Sequence, residues 1–366
     1  MQTLFAFEQC KEANFLLSQD FIESQFQPDL NSMEVQDKQL LARQRKAALQ
    51  LLEKKFNEAS PKASEDAAVE KTVKEALELY HKQVKKDYTH LQKNMVSEVE
   101  KLNDLYYSVL GLLIAFAAQA AADKKNDFKS FAKNEWILAL SRHGELNKEL
   151  MKPGVGWESR KEKVRSWFRD GIKADATFQK FAEEQSPDAE SQKNILKHLT
   201  RKLIFGKGPV HDHFEEDDIH WAEDKEILKS LVDKTIKSYS EDSGKIELQK
   251  LSLDWEDDKD FMVRLFKTAA ELSAEHKELI ARNTKNWEVE RLPLTDRVIL
   301  DLAIAELITF QAIPVKVSIN EYIELAKHYS TPKSRQFING ILDVIAKELV
   351  ATGAVKKSGR GLLDNK

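Results

Sequence analysis

Residues 296–343 read DRVILDLAIAELITFQAIPVKVSINEYIELAKHYSTPKSRQFINGILD. Apolar side chains recur there every three or four positions, which is the spacing of one face of an α-helix. The first run contains Val298, Ile299, Leu302 and Leu307. Pro314 biases the residue before it away from helical geometry, so we expect a break near residues 312–313. The stretch therefore predicts consecutive helices rather than strands.

Capping residues divide the rest of this stretch. Ser318, with Glu321 three residues later, has the pattern of a capping box and predicts a helix that begins at Ser318. Thr331 followed by Pro332 predicts the next start, because proline at the first helical position has no N–H to leave unsatisfied. Gly353 is expected to stop that last helix.

The dipeptide Asn339-Gly340 lies inside the last predicted helix. Asn-Gly can form a hairpin turn, but the flanking apolar residues repeat with a period of about 3.6 rather than 2. Glycine inside a helix costs about 1 kcal/mol relative to alanine. We therefore expect Gly340 to admit the close approach of another helix backbone.

Composition supports an all-α protein. The 366 residues include only 12 glycines and 8 prolines, and 32% of them are charged.

The net charge of −4 excludes a polybasic nucleic-acid coat, so any RNA binding must be local. The single cysteine, Cys10, excludes an intramolecular disulfide and a cysteine-built zinc site. The opening MQTLFAFEQCKEA has no basic leader, which favours a cytoplasmic protein.

Two stretches of the middle region suggest other functions. Residues 105–122 carry no charge and just reach the length of a membrane span, but they are rich in alanine and lie among charged helices, so we expect a buried core helix. The stretch HDHFEEDDIH contains His211, His213 and His220 and suggests a metal site. It has no HExxH pattern, and we interpret it as a solvated loop.

The stretch of residues 296–343 resembles the NusB family of transcription antitermination factors. The matching elements are DRxIL, AxxEL, IPxKVxINEYIELAK and FxNGxLD, in that order over residues 296–343. On this resemblance, residues 1–20 are the first helix of the core, 256–355 its C-terminal part and 356–366 a flexible basic tail. Residues 21–255 are then a large helical insertion, as in long Bacteroidetes-type forms of the family.

The resemblance implies a fold and a function. NusB proteins are all-helical, with two packed helical bundles, and we expect these here with a large additional helical region. They bind the boxA element of ribosomal RNA leader transcripts together with NusE, a small-subunit ribosomal protein. The pair acts on the transcribing RNA polymerase complex, without catalysis, and no cofactor or metal is implied.

The resemblance also implies site residues. The RNA surface of the family includes the helix start before FxNG, which is here Lys333, Ser334, Arg335, Gln336 and Phe337. Cations at a helix N-terminus suit phosphate, and an aromatic ring suits an unstacked base. The alternative is that Phe337 belongs to the core and the two cations are merely solvated. The side on which relatives bind NusE maps to Asp296 and Arg297, whereas Asn320 and Glu321 are expected to cap and pack.

One departure leaves the RNA affinity open. Relatives carry an arginine-rich segment ahead of the first helix, and this sequence opens at MQTLFAF, where they have already passed it. We expect either an upstream start or weaker RNA binding. The alternative to antitermination is thus a helical scaffold with weakened RNA binding. A methyltransferase is not expected, because no glycine-rich nucleotide loop or catalytic cysteine motif follows the module.

Overall fold

The protein folds into α-helices, as the sequence predicts. The computed structural model describes residues 1–29, 31, 35–58, 62–283 and 292–365, and in these ranges the only β feature is an isolated bridge between Ser240 and Lys245. The helices are α1 (Gln2–Gln25), α2 (Lys38–Asn57), α3 (Ala67–Ala122), α4 (Lys129–Ala132), α5 (Glu135–Arg142), α6 (Gly144–Leu150), α7 (Lys161–Trp167), α8 (Ala176–Glu183), α9 (Ala189–Leu199), α10 (Pro209–Asp217), α11 (Trp221–Lys237), α12 (Trp255–Ala270), α13 (Ala274–Asn283), α14 (Leu294–Thr309), α15 (Val315–Tyr329) and α16 (Pro332–Ala351).

Short helical turns extend this set. Two π-helical turns, Phe168–Ile172 and Thr200–Ile204, continue α7 and α9. Two 3₁₀ turns lie at Glu158–Arg160 and Gly359–Asn365.

The chain divides into two compact units. Met1–Val96 and Glu256–Lys366 form the first unit, and Ser97–Trp255 form the second. Residues 21–96, which the resemblance assigns to the insertion, thus lie in the same unit as the NusB-like segment. The boundaries of the family core within the chain stay a prediction.

Helix α14 is the centre of the first unit. It packs against α1, α13, α15 and α16. Every residue from Val298 to Leu307 is buried, because neighbours surround the helix on all sides. Its first residue is Leu294.

Helix α15 begins three residues before the predicted start. Its first residue is Val315, directly after Pro314, and the backbone N–H of Ser318 donates to the Pro314 carbonyl at 3.1 Å. Ser318 is therefore inside the helix and fully buried, and Glu321 is exposed. The predicted capping box is wrong, because proline already holds the backbone geometry that precedes a helix. Asn320 is also exposed, so neither it nor Glu321 packs as expected.

Helix α16 confirms its predicted ends. The Thr331 hydroxyl accepts a hydrogen bond from the Ser334 backbone N–H at 3.1 Å, and Gly353 has a φ of 74° beyond the last turn. Residues 339 and 340 are helical, as predicted. The predicted close neighbour of Gly340 is wrong: a Cβ built there would meet nothing within 4 Å, and the residue is exposed.

The first unit is closed by contacts between residues far apart in the chain. Phe7 lies 5.6 Å from Tyr88 and 5.9 Å from Phe266, measured between ring centroids. Tyr88 and Phe266 stack at 5.2 Å. Helices α1, α3 and α12 therefore share one aromatic cluster. Edge-to-face and stacked rings of this kind stabilise the fold beyond the contribution of their buried area.

The apolar end of α3 forms the core of the second unit. Its most apolar 18-residue window has a mean hydropathy of 1.7, and 56% of that window is buried in the protein. Tyr106, Leu110, Leu113 and Phe116 are fully buried there. The predicted core helix is confirmed, and this is the one helix in the described ranges that is long and apolar enough to span a membrane.

The C-terminal residues pack more closely than the predicted flexible tail. Val355 is buried, the Ser358 N–H donates to the Gln311 carbonyl at 3.0 Å, and Lys357 Nζ donates to the Phe310 carbonyl at 2.9 Å. The tail therefore supplies donors to carbonyls that the end of α14 leaves free.

Candidate nucleic-acid interface

The candidate site is the start of α16. Thr331 caps the helix in two ways. Its backbone carbonyl accepts a hydrogen bond from the Arg335 N–H at 3.0 Å, and its hydroxyl lies 2.9 Å from the Ser334 hydroxyl. Pro332 occupies the first helical position. The positive end of a 20-residue helix dipole is thereby held in a defined place at the protein surface.

The charges around this helix start are mainly positive. Lys333 is exposed and Arg335 half-buried, and the first acidic residue of α16 is Asp343, three turns along the helix. The last turn of α15 adds Lys327 and His328. The sequence predicted only the cations of α16, and the structure adds these two basic residues of α15 beside them. Basic residues in a last helical turn were the signal available in the sequence.

One carboxylate lies among these cations. Lys327 forms an ion pair with Glu324. The hydrogen bond that Lys327 donates to Glu324 lowers the pKa of that carboxyl. The positive charges of Lys327, His328 and Arg335 lower it further. The same field that holds this carboxylate ionised would act on a phosphate group.

The remaining predicted RNA-site residues lie on the first two turns of α16. Gln336 is exposed and Ser334 half-buried. Phe337 is half-buried and packs against the apolar core of the first unit. The structure thus brings the five residues onto one helix start, but Phe337 is partly engaged by the core and presents only part of its ring.

Asp296 and Arg297 differ in their surroundings. Asp296 is 1% exposed and accepts a hydrogen bond from the Ser330 hydroxyl. Its carboxylate therefore joins the first turn of α14 to the residue just before Thr331, and it positions the start of α16 from inside. Arg297 is half-buried and reaches the surface. The sequence pattern missed the role of Asp296, since an acid in the first turn of a helix is usually solvated.

The histidine-rich stretch predicted as a solvated loop is helix α10. Gly208, with a φ of 150°, and Pro209 at the first helical position start it, and this proline signal was available in the sequence. His211 and His213 are buried. His213 lies against Trp157 and Trp167, and burial, with the nearby charges of Lys163 and Arg160, lowers the pKa of its imidazole.

His211 faces two carboxylates on the same helix. Its Nδ1 lies 3.5 Å from Asp212 Oδ1 and 3.9 Å from Glu215 Oε2, and these donor atoms lie within 4.8 Å of one another. Three such atoms are fewer than the four ligands of a structural zinc site. The arrangement is sufficient for an ion pair when His211 is protonated.

The candidate site lies in a segment whose sequence is similar to a known family. The sequence profile that defines the NusB family matches residues 221–347, which include all of α14 and α15 and most of α16. The transcription antitermination protein NusB of Salinibacter ruber is 42% identical over 105 residues, which are 29% of this chain and 66% of that protein. Residues 221–347 are thus NusB-like in sequence.

Other NusB proteins show the same extent of similarity. That of Chloroherpeton thalassium is 37% identical over 139 residues, covering 38% of this chain and 62% of that protein. That of Koribacter versatilis is 43% identical over 96 residues, covering 26% and 66%. The chain thus spans slightly less than two thirds of the length of each relative.

A solved structure of T. maritima NusB is 29% identical to this chain. The alignment covers 45% of this chain and 94% of that one, with a TM-score of 0.24. A superposition of that quality supports no argument about geometry, so the assignment to the NusB family depends on the sequence matches.

Proposed function

We propose that this protein is a cytoplasmic, non-enzymatic RNA-binding factor for transcription antitermination. It acts on boxA-type elements of ribosomal RNA leaders with NusE, in the transcribing RNA polymerase complex. The observation that carries the proposal is the cationic start of α16, with the exposed Lys333 and the half-buried Arg335, inside a segment that matches the NusB family. The curated relatives carry the name transcription antitermination protein, which supports the same assignment.

The chemistry of this helix start suits a phosphate of single-stranded RNA. Backbone N–H groups and the dipole of α16 favour an anion at that end, and Lys333 and Arg335 add charge-assisted hydrogen bonds. Gln336 has an amide that can both donate to and accept from a base edge. The exposed part of Phe337 is an edge contact rather than a full stacking platform, so we expect phosphate contacts to supply most of the affinity.

NusE contact is proposed for the start of α14. Arg297 is the surface residue there, whereas the buried Asp296 acts by holding Ser330. Reversal of the Arg297 charge should therefore weaken NusE binding without changing the binding of RNA alone. The measurement is a titration of NusE into the protein with and without RNA.

The test of RNA binding is a titration of boxA-containing and scrambled RNA at several salt concentrations. In the double variant Lys333→Glu with Arg335→Glu, binding should weaken for both RNAs. The slope of log affinity against log salt should flatten by about 1.4, since each phosphate contact to a single strand contributes about 0.7. The matched control is Lys267→Glu with Lys347→Glu, which reverses two exposed cations of the same unit.

Three outcomes decide the proposal. Preference for boxA RNA, strengthened by NusE and lost selectively in the α16 variant, supports it. Equal binding of boxA and scrambled RNA by the unmodified chain, with or without NusE, contradicts it and favours the scaffold alternative. An equal loss in the control variant shows that only net charge matters, and also contradicts it.

A further inference from the structure

The second unit contains a groove lined by cations. It lies between the end of α3 and the α7 segment and has a volume of about 770 Å³. Six basic side chains line it: Lys124, Lys125, Lys161, Arg165, Arg169 and Lys173. The acidic lining residues are Asp123 and Glu162. In a chain of net charge −4, this is a local excess of positive charge.

Three of these cations are engaged by carboxylates of the protein. Lys173 pairs with Asp123, Arg169 binds both oxygens of Asp170 at 2.7 Å, and Lys161 lies 2.5 Å from Glu158. Lys173 is also near the rings of Phe128 and Phe168. These three cations therefore already have anionic partners within the protein.

The other three cations are available to a ligand. Lys124, Lys125 and Arg165 are exposed, and within the described part of the chain no ion pair engages them. Like charges that converge without carboxylate partners repel each other, and an anion that neutralises them is bound favourably. Gln119 also lines the groove, and its side-chain amide can donate hydrogen bonds to phosphate oxygens.

The shape of the site discriminates between polyanions. A concave groove admits a chain, whereas a lipid surface requires a flat or convex face with apolar side chains to insert. The large exposed apolar residues of the second unit are Met151, Ile219, Ile227 and Leu253, and none of them lines the groove. The one aromatic residue in the lining, Phe168, is buried and offers no base a stacking surface.

We propose that this groove binds the phosphate backbone of single-stranded RNA, without sequence preference. Lys124, Lys125 and Arg165 supply its affinity for a chain of phosphates. The choice of RNA as that chain rests on the proposed function. Contacts to phosphates position a strand but do not discriminate sequence. The second unit would then add an RNA-binding surface of its own to the protein.

The test compares two variants of the full chain that carry the same net charge. The groove variant is Lys124→Glu with Lys125→Glu and Arg165→Glu. The control is Lys133→Glu with Lys180→Glu and Lys237→Glu, three exposed lysines of the same unit outside the groove. Binding of a fluorescent oligouridylate, which contains no boxA, is measured by anisotropy over a salt series. The triple glutamine variant of the groove serves if charge reversal perturbs folding, which far-UV circular dichroism monitors.

The groove variant should bind oligouridylate at least about tenfold more weakly at low salt. Its salt slope should fall by about 2, since three phosphate contacts are lost at about 0.7 each. The control should retain the slope of the unmodified chain, and the glutamine variant should change in the same direction as the groove variant. A loss confined to the groove variants supports the proposal.

Several results would overturn it. One is an equal effect in the groove variant and the control, and another is no effect in the groove variant. A third is selective loss of binding to phosphatidylserine vesicles with RNA binding unchanged. The preference for boxA over scrambled RNA is measured in the same variants. It should survive in the groove variant, so failure of the groove and failure of the α16 site are separable.

Discussion

The hydrogen bond between Tyr322 and Glu306 joins α15 to the central helix α14. The Tyr322 hydroxyl donates to Glu306 Oε2 at 2.7 Å, and the two residues are 3% and 6% exposed. Burial, and then the negative charge of Glu306, raise the pKa of Tyr322, so the hydroxyl stays protonated and remains a donor. A carboxylate in such a place depends on its donor, because water cannot replace it.

The variant Tyr322→Phe removes the donor and leaves the ring. Hydrogen bonds to charged groups contribute about 1.5–3 kcal/mol, so we expect the free energy of unfolding to fall by about 2 kcal/mol. In a Glu306→Gln background the bond is neutral, and the same change should cost about 1 kcal/mol. The difference between the two backgrounds measures the contribution of the charge.

The assay is urea unfolding followed by far-UV circular dichroism. Amide hydrogen exchange of peptides from α14 and α15 then locates the loss, which matters because a chain of two units need not unfold in one step. Exchange should accelerate in both helices and stay unchanged in peptides from the second unit. A cost below about 0.5 kcal/mol, or an equal cost in both backgrounds, would refute the reasoning.

Two further predictions concern Asp301 and Gly340. Burial raises the pKa of Asp301 from 3.8 to about 6, so the folded protein holds this proton more tightly than the unfolded chain does. The contribution of Asp301 to stability is then greatest below about pH 4 and is lost as the pH rises through about 6. Asp301→Asn should remove that dependence and gain up to about 3 kcal/mol at neutral pH, measured by urea unfolding across the pH range; a parallel pH profile for the two proteins would contradict it. Gly340→Ala should raise the free energy of unfolding by about 1 kcal/mol, because the site is helical, exposed and open around the added Cβ. A destabilised Gly340→Ala protein would show that a neighbour is present after all, and Asn339→Ala, at the adjacent exposed position, is the control.

Local signals in the sequence were sufficient for the ends of α16 but not for the start of α15. Thr331 and Pro332 act on their own backbone, so their effect is readable without the rest of the fold. Ser318 and Glu321 have the pattern of a capping box, but Pro314 starts the helix earlier and turns Ser318 into a buried interior residue. Where two local signals compete, the spacing alone does not decide between them.

Features set by tertiary structure were beyond the sequence pattern. The cost of Gly340 suggested a close neighbour, yet nothing in the pattern shows whether a helix lies there. Asp296 is an acid in a first helical turn, and only the position of Ser330 buries it. The groove brings residues 119–125 beside residues 161–173, and each segment alone is an ordinary charged helix end.

The division of the first unit into two segments has a consequence during synthesis. The second unit is continuous in the chain, whereas α1 and its aromatic partner Phe266 are separated by the whole of it. At about 5–20 residues per second, the ribosome takes roughly 8–30 s to make the intervening unit. For that time the apolar face of α1, with Leu4 and Phe7, has no C-terminal helices to pack against. The nascent chain can cover this face only in part, through Tyr88 of α3, until the C-terminal helices are made, and a chaperone that binds apolar segments has its longest opportunity there.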